Sequence, residues 1–310
     1  MINMTTIANP ILKFLIMPLY KGAEWLGNKY PILLVKLRYL YRFKKFPNLK
    51  EPKDLNEKIL YLKLFSDTKV WSELADKYLV REYVKSLGLS DILVPLYGVW
   101  DSAEDFSLKE LPLSFVLKAN NGDGKGSNLL IEDSRQWEEE NLKKIINIWL
   151  SNKNIGSTAA EPHYKNIKPR VLAEKLLPIE KNSTSLVDYK IWCFNGEPFS
   201  ILTCSNRKND HVCLGCYDLD WNYHPENMLF SEKYSFESEP LKKPLMLKEM
   251  LAIAKILSKP FPQVRVDLYE ICGKIYFGEM TFTSLGGMMN YYTPEYLLVM
   301  GDKIDVNFNK

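Results

Sequence analysis

A chain of 310 residues with a net charge of +3 is long enough to bury one to three cores and too weakly basic to argue for a nucleic-acid partner. Its five cysteines, Cys193, Cys204, Cys213, Cys216 and Cys272, are odd in number and unevenly spaced, so they do not read as a disulfide framework and fit a reducing cytoplasm. Three histidines, His163, His211 and His224, make a Ser-His-Asp or Cys-His hydrolase unattractive.

Residues 1 to about 70 read as helical. Pro10 to Tyr20 is strongly apolar but interrupted by Lys13 and Pro18, and it is too short to span a bilayer. No small-residue cleavage site follows it, which argues against a secretory signal. A second apolar cluster, Pro31 to Val35, runs into Lys36, Arg38, Arg42, Lys44 and Lys45. Residues 1–45 therefore have two readings. They are helices packed on the rest of the protein, or a basic amphipathic surface that contacts the membrane peripherally from the cytoplasmic side. Leu55 to Leu64 has amphipathic spacing with Asp54 placed to cap it, and Asp76 to Leu87 predicts a second helix ended by Gly88.

The pattern then turns strand-like at Leu93 to Trp100 and Ser114 to Ala119. A glycine-rich loop, Asn120 to Asn128, follows, and Leu129 to Ile131 starts another strand. Gln136 to Leu150 predicts a helix and Arg170 to Leu177 a strand ended by Pro178. Asp188 to Phe194 and Pro198 to Cys204 flank Asn195-Gly196, a two-residue hairpin signal. Leu247 to Leu257 predicts a helix. Val264 to Tyr269 and Lys274 to Phe277, joined by Cys272-Gly273, predict a hairpin that, running to about residue 283, closes the ordered part.

Alternation along Val264 to Tyr269 puts Arg265, Asp267 and Tyr269 on one face. If the hairpin pairs, Asp267 and Glu279 meet at one end of it. Two converging carboxylates repel unless a cation lies between them, and hard oxygen ligands suit Mg²⁺. Gly286 and Gly287 would then let backbone approach a ligand closely. Lys118 ends a strand just before the glycine-rich loop, where an ammonium can neutralise phosphate. That loop offers backbone N–H groups to phosphates, or is simply an exposed hairpin loop; it lacks the Walker A spacing. Glu174 to Leu177 reads either as a core strand or as a segment offering backbone to an adenine edge. Asp188 and Lys190 share a face and contact ribose or phosphate, or form a surface pair. Cys213 and Cys216 with His211 have half the ligands of a structural zinc site. Asp218 and Asp220 form an Asp-x-Asp, read as a β-turn or as the metal site of a nucleotide-sugar glycosyltransferase.

The ordered set Leu55-Asn56-Glu57-Lys58, Asp76-Lys77-Tyr78 with Arg81-Glu82-Tyr83, Phe115-Val116-Leu117-Lys118, Asp188-Tyr189-Lys190, Phe194-Asn195-Gly196-Glu197-Pro198, Tyr217-Asp218-Leu219-Asp220-Trp221, Val264 to Tyr269 and Phe277 to Phe282 resembles the TupA-like ATP-grasp family. Its members are linked to bacterial surface polysaccharides and teichuronopeptide, and many carry a glycosyltransferase label. The resemblance implies an α+β ATP-grasp fold, two α+β lobes clasping ATP behind a helical N-terminal segment. It divides the chain into residues 1–70, 71–180 and 181–310. It implies a carbon–nitrogen ligase that uses ATP and Mg²⁺ to join a carboxylate to an amine, for instance a uronic acid to an amino acid. The rival activity is a metal-dependent glycosyltransferase built on Asp218 and Asp220. By resemblance Lys118, Lys190 and Arg265 are catalytic. Nucleotide contacts fall to Lys77, Lys118, Asn121, Gly122, Gly124, Gly126, Ser127, Glu174, Lys175, Leu176, Leu177, Asp188 and Lys190, with Arg207 a further phosphate or carboxylate candidate. Asp267 and Glu279 hold the metal together with Thr281, which stands where many relatives carry asparagine.

Overall fold

The computed structural model describes residues 10–122, 126–152, 155–179, 183–208, 211–231, 233–236 and 239–308, with side chains from residue 17 onward. It divides into two compact units. One comprises Met1–Lys45, Asp67–Arg81 and Val94–Leu177; the other comprises Phe46–Ser66, Glu82–Leu93 and Pro178–Lys310. The helical residues at the start of the chain are thus shared between both units.

Among the described residues five α-helices precede the first strand: α1 (Pro10–Lys29), α2 (Pro31–Phe43), α3 (Leu55–Phe65), α4 (Lys69–Ala75) and α5 (Val80–Ser86). Asp54 caps α3 as its sequence predicts, its carboxylate accepting the Glu57 N–H at 2.9 Å. The helix expected from Asp76 to Leu87 is shorter than predicted. The Asp76 carboxylate captures the N–H groups of Tyr78 and Leu79, which makes a turn there and delays α5 to Val80.

In the first unit β1 (Leu96–Trp100), β2 (Phe115–Ala119), β3 (Asn128–Ile131) and β4 (Val171–Lys175) form an antiparallel sheet in the order β1-β4-β2-β3. The helix α6 (Glu139–Ser151) lies between β3 and β4 in sequence. Alternation gives the two central strands two characters. Phe115, Leu117, Val171 and Ala173 face a core with Phe106, Leu142 and Ile146. Val116, Lys118, Leu172 and Glu174 occupy the other face.

In the second unit the strands are β5 (Asp188–Phe194), β6 (Glu197–Lys208), β7 (His211–Tyr217), β8 (Tyr234–Phe236), β9 (Gln263–Ile271) and β10 (Lys274–Thr281). They pair in the order β10-β9-β5-β6-β7-β8, antiparallel except for β7 with β8. The β5–β6 and β9–β10 turns each have two left-handed residues, Asn195 and Gly196 at φ 49° and 79°, Cys272 and Gly273 at φ 51° and 73°. That is the geometry whose twist matches the flanking strands. The helix α7 (Leu247–Ser258) covers β9 and β5, burying Met250, Ala254 and Leu257 on the side of Val264, Val266 and Leu268. Each large side chain buried there contributes about 1.5–3 kcal/mol.

The chain does not end its ordered part at the hairpin. A further helix, α8 (Pro294–Asp302), is capped by Thr293, whose hydroxyl accepts the Tyr296 N–H. It packs on α3 and on the backbone leading into it, where a Cβ at Gly301 would lie 2.1 Å from the Lys53 carbonyl oxygen. The signal for this helix was the Thr-Pro pair, a capping residue followed by proline at the first helical position.

All five cysteines are free. Burial pushes the Cys193 thiol up to about 12 and those of Cys204 and Cys216 up to about 11. Iodoacetamide at pH 8 should therefore label Cys272, which is exposed, and spare these three until the chain is unfolded in urea. Mass spectrometry of the labelled peptides reads the outcome; rapid native labelling of Cys193 would contradict the buried strand β5.

Candidate functional site

Two clusters of charged side chains stand out, one in each unit. In the first unit Glu174 and Lys118 are diagonal neighbours on the polar face of β4 and β2, and the lysine ammonium donates to Glu174 Oε2 at 2.8 Å. Arg81 donates to Glu174 Oε1 at 3.0 Å and to the Val94 carbonyl at 2.8 Å. Glu174 is thus a buried carboxylate held by two cations, and Lys118 remains partly exposed. Its ammonium, expected to neutralise phosphate, is shared with a protein carboxylate. The Lys175 N–H is taken by the Pro95 carbonyl, Leu177 is buried and Leu176 is half-buried.

The glycine-rich loop joins β2 to β3. Ala119 N–H donates to the Ser127 carbonyl at 2.8 Å and the Lys77 ammonium to the Gly122 carbonyl at 2.7 Å. Gly122 has no room for a side chain, since a Cβ would lie 2.3 Å from Ser127 Oγ. The Gly126 carbonyl accepts the indole N–H of Trp149 at 2.7 Å. Asn121 is 2% exposed, and its Oδ1 has no hydrogen-bond partner among the described residues. Gly124 lies outside the described residues.

The second cluster is built on one face of the sheet. Across the strands Glu279 stands opposite Asp267, and Asp267 opposite Lys190; one pair along, Thr281 stands opposite Arg265, and Arg265 opposite Trp192. A bulge makes this possible. Phe277 pairs with Leu268 and Glu279 with Asp267, so Gly278 is an extra residue in β10. Without it, Glu279 would oppose Val266 and face the core, because a slip of one residue exchanges the two faces. Glycine is required at the bulge, as a Cβ there would approach the Asp267 carbonyl oxygen to 2.9 Å.

Arg265 grips Asp267 with two parallel bonds, Nε to Oδ1 at 2.7 Å and Nη2 to Oδ2 at 2.8 Å. Its remaining nitrogen donates to Ser284 Oγ at 2.6 Å, and Nη2 also reaches Thr281 Oγ1 at 3.1 Å. Thr281 donates to Glu279 Oε1 at 3.1 Å, and that oxygen lies 3.5 Å from Arg265 Nη2. The guanidinium carbon sits 5.8 Å from the Trp192 ring centroid. On the other side Lys190 bonds to Asp267 and lies 3.7 Å from Asp188, which also pairs with Arg207. Burial acts to discharge Lys190, but Asp188 and Asp267 outweigh it and hold its pKa above the ordinary lysine value. The same contest, won by Asp267, raises Arg265. Asp188 and burial together push the Tyr269 phenol well above its ordinary value.

These side chains supply part of a donor set for a hard divalent cation. Asp267 and Glu279 are opposed carboxylates with a hydroxyl, Thr281, beside them, and Glu279 is the more open of the two carboxylates. Asp267 is engaged on both oxygens by Arg265 and Lys190, so a cation would have to share it with them. Among the described residues no group of three His, Cys, Asp or Glu side chains could hold a metal ion. A site here would need the Thr281 hydroxyl or ligand oxygens to complete it.

The other motifs find plain structural uses. Cys213 and Cys216 are three apart on β7, so their side chains point to opposite faces. Asp218 folds its own turn, Oδ1 accepting the N–H groups of Asp220 and Asn222 at 3.0 and 2.8 Å and Oδ2 the Asn222 amide at 2.7 Å. At Gly287 a Cβ would meet Ile59 and Leu60 of α3 at 3.0 Å. Sequence reading gave no site role to Arg81 or Ser284. It also missed the role of α3, which grips the segment after β10. There the buried Lys63 donates to the Gly286 carbonyl at 2.7 Å, and Asn56 exchanges two bonds of 2.8 Å with Met289. These partners lie far apart in the chain, and no local signal marks them.

A family model described as TupA-like ATPgrasp matches residues 57–305. No curated protein is significantly similar to the chain. Among solved structures, the D-alanine–D-alanine ligase from Coxiella burnetii is 11% identical, with 83% of this chain and 67% of that one covered and a TM-score of 0.46. The D-alanine–D-alanine ligase from Bacillus anthracis complexed with ATP is 15% identical, with 68% and 54% covered and a TM-score of 0.38. N5-carboxyaminoimidazole ribonucleotide synthetase from Thermus thermophilus is 14% identical, with 70% and 47% covered and a TM-score of 0.39. The chain thus spans about half the length of the last two. Likenesses this distant add nothing to the family match.

Gly278→Ala should lower unfolding stability by about 1–3 kcal/mol in urea titration, because the new methyl group meets backbone that cannot step aside. Stability equal to the parent protein would show that the bulge is not under this constraint.

Proposed function

The chain belongs to the TupA-like ATP-grasp family and has its α+β fold, and on that premise we propose that it is an ATP-dependent carboxylate–amine ligase of bacterial cell-surface polysaccharide or capsule synthesis. Its substrates on this reading are a uronic acid, carried by a polysaccharide or its precursor, and an amino acid or other amine. The observation that carries the reading is the opposition of Asp267 and Glu279 on adjacent strands, with Arg265 and Lys190 beside them.

A carboxylate is a poor electrophile at neutral pH. In the proposed reaction its oxygen attacks the γ-phosphorus of ATP, the bond from that phosphorus to the β,γ-bridging oxygen breaks, and ADP departs. The acyl phosphate so formed has a good leaving group. The amine attacks its carbonyl carbon, phosphate leaves, and the amine proton passes to solvent or base. Such a transfer needs positioning and charge neutralisation, not a protein nucleophile, so the three histidines are no obstacle.

Within this reading Arg265 and Lys190 steady the negative charge on the transferring phosphoryl group. Lys118 and Lys77, with Asn121, Gly122, Gly124, Gly126 and Ser127 of the loop, contact the phosphates. The orphaned Oδ1 of Asn121 supports a ligand there. The backbone of Glu174 to Leu177 meets the adenine, while the Glu174 carboxylate positions Lys118. Asp188 orients Lys190 and Arg207. Asp267, Glu279 and Thr281 would hold Mg²⁺, which when bound neutralises phosphate charge. Free cysteines suit a cytoplasmic setting.

Purified protein supplied with Mg-ATP, a panel of uronates and a panel of amino acids should yield ADP, phosphate and an amide. Glu279→Ala should lower that turnover by about 100-fold or more without changing the thermal unfolding curve. Consumption of nucleotide sugars with no ADP formed, or an unchanged rate in Glu279→Ala, would overturn the proposal.

A further inference from the structure

The two N-terminal helices of the first unit are apolar on two sides. Their inner side is already filled. Leu34, Val35 and Tyr39 of α2 are buried, Gly27 of α1 lies against the Ser157 carbonyl, and Arg38 donates to the Thr158 carbonyl. On α2 a second stripe remains. Leu33, Leu37 and Tyr41 recur at every fourth residue and are 47%, 47% and 83% exposed. At the end of α1, Trp25 and Tyr30 are also exposed and meet edge to face at 5.6 Å, with the Lys29 ammonium 5.7 Å from each ring centroid.

Single apolar side chains on a surface need no explanation, but a stripe on a helix whose core side is complete does. Charge says what fits it. Between residues 17 and 45 seven lysines and arginines stand against one acidic residue, Glu24, so the rest of this weakly basic chain is net acidic. Lys36, Arg42, Lys44 and Lys45 are exposed around the stripe, and the Lys44 ammonium lies 5.2 Å from the Tyr41 ring centroid. A second copy of this face would bring like charges together. Apolar side chains, amphipathic aromatic rings and flanking lysines together match the boundary between acyl chains and anionic headgroups. No helix among the described residues is long and apolar enough to cross a membrane. We propose that the outer face of α1 and α2 docks this protein on an anionic lipid bilayer.

The test uses flotation of the full chain with vesicles of phosphatidylcholine alone and of phosphatidylcholine mixed with phosphatidylglycerol. The protein should float with the anionic vesicles only, and added salt should release it. The triple variants Leu33→Ser/Leu37→Ser/Tyr41→Ser and Lys36→Glu/Lys44→Glu/Lys45→Glu should each weaken binding about ten-fold or more. Both should keep the parent unfolding curve, since these side chains are exposed. Equal flotation with neutral vesicles, no flotation at all, or self-association in sedimentation that the apolar variant abolishes would overturn the proposal. None of these readouts involves nucleotide turnover, so the ligase reading stands or falls separately.

Discussion

A carboxylate shielded almost wholly from water has to be met by cations, and Asp267, 1% exposed, is met by two. Removing one partner of such a buried pair typically costs about 3–5 kcal/mol, because the other is left uncompensated. The requirement spreads outward from Asp267. Arg265, having given two bonds to Asp267, needs acceptors for its remaining N–H groups and finds Ser284 and Thr281. Lys190 needs more negative charge than half of Asp267 and finds Asp188, which in turn recruits Arg207. The whole charged face of the second sheet is one connected set of obligations. The first unit repeats the scheme on a smaller scale, with Glu174 between Arg81 and Lys118.

Backbone register makes the set possible. A regular hairpin would bury Glu279 against the core beside Val266. The extra residue at Gly278 turns it to the Asp267 face instead. Further along, Leu285, Gly286 and Gly287 all have left-handed backbone, and Leu285 is there without a glycine's freedom. Helix α3 holds this turn through Lys63 and Asn56, which keeps Ser284 against Arg265. A helix far upstream in sequence thus supports the charged face without touching Asp267.

Much of this was legible in the sequence, and the reason is periodicity. Arg265, Asp267 and Tyr269 alternate with Val264, Val266 and Leu268, so the two faces of β9 follow from period two alone. Asn195-Gly196 and Cys272-Gly273 fixed their hairpins through backbone preference. Asp54 announced α3 by its capping chemistry. What stayed hidden depended on partners distant in the chain or on competition between local bonds. Arg81 meets Glu174 from 93 residues away, and Lys63 meets Gly286 from 223. Asp76 could have begun a helix and instead folds a turn. Lys118 and Lys77 looked available for phosphate, whereas each already serves the protein, one at Glu174 and the other at the loop backbone. A ligand that uses them must compete with those bonds.

The central claim is that Asp267 and Glu279 form the seat of a nucleotide's cation. A crystal structure of the protein with Mg²⁺ and a non-hydrolysable ATP analogue tests it most directly. The account predicts a cation bonded to oxygens of Asp267, Glu279 and the analogue's phosphates, with the grip of Arg265 on Asp267 loosened. An analogue bound with its cation elsewhere, and Glu279 still facing solvent, would contradict it.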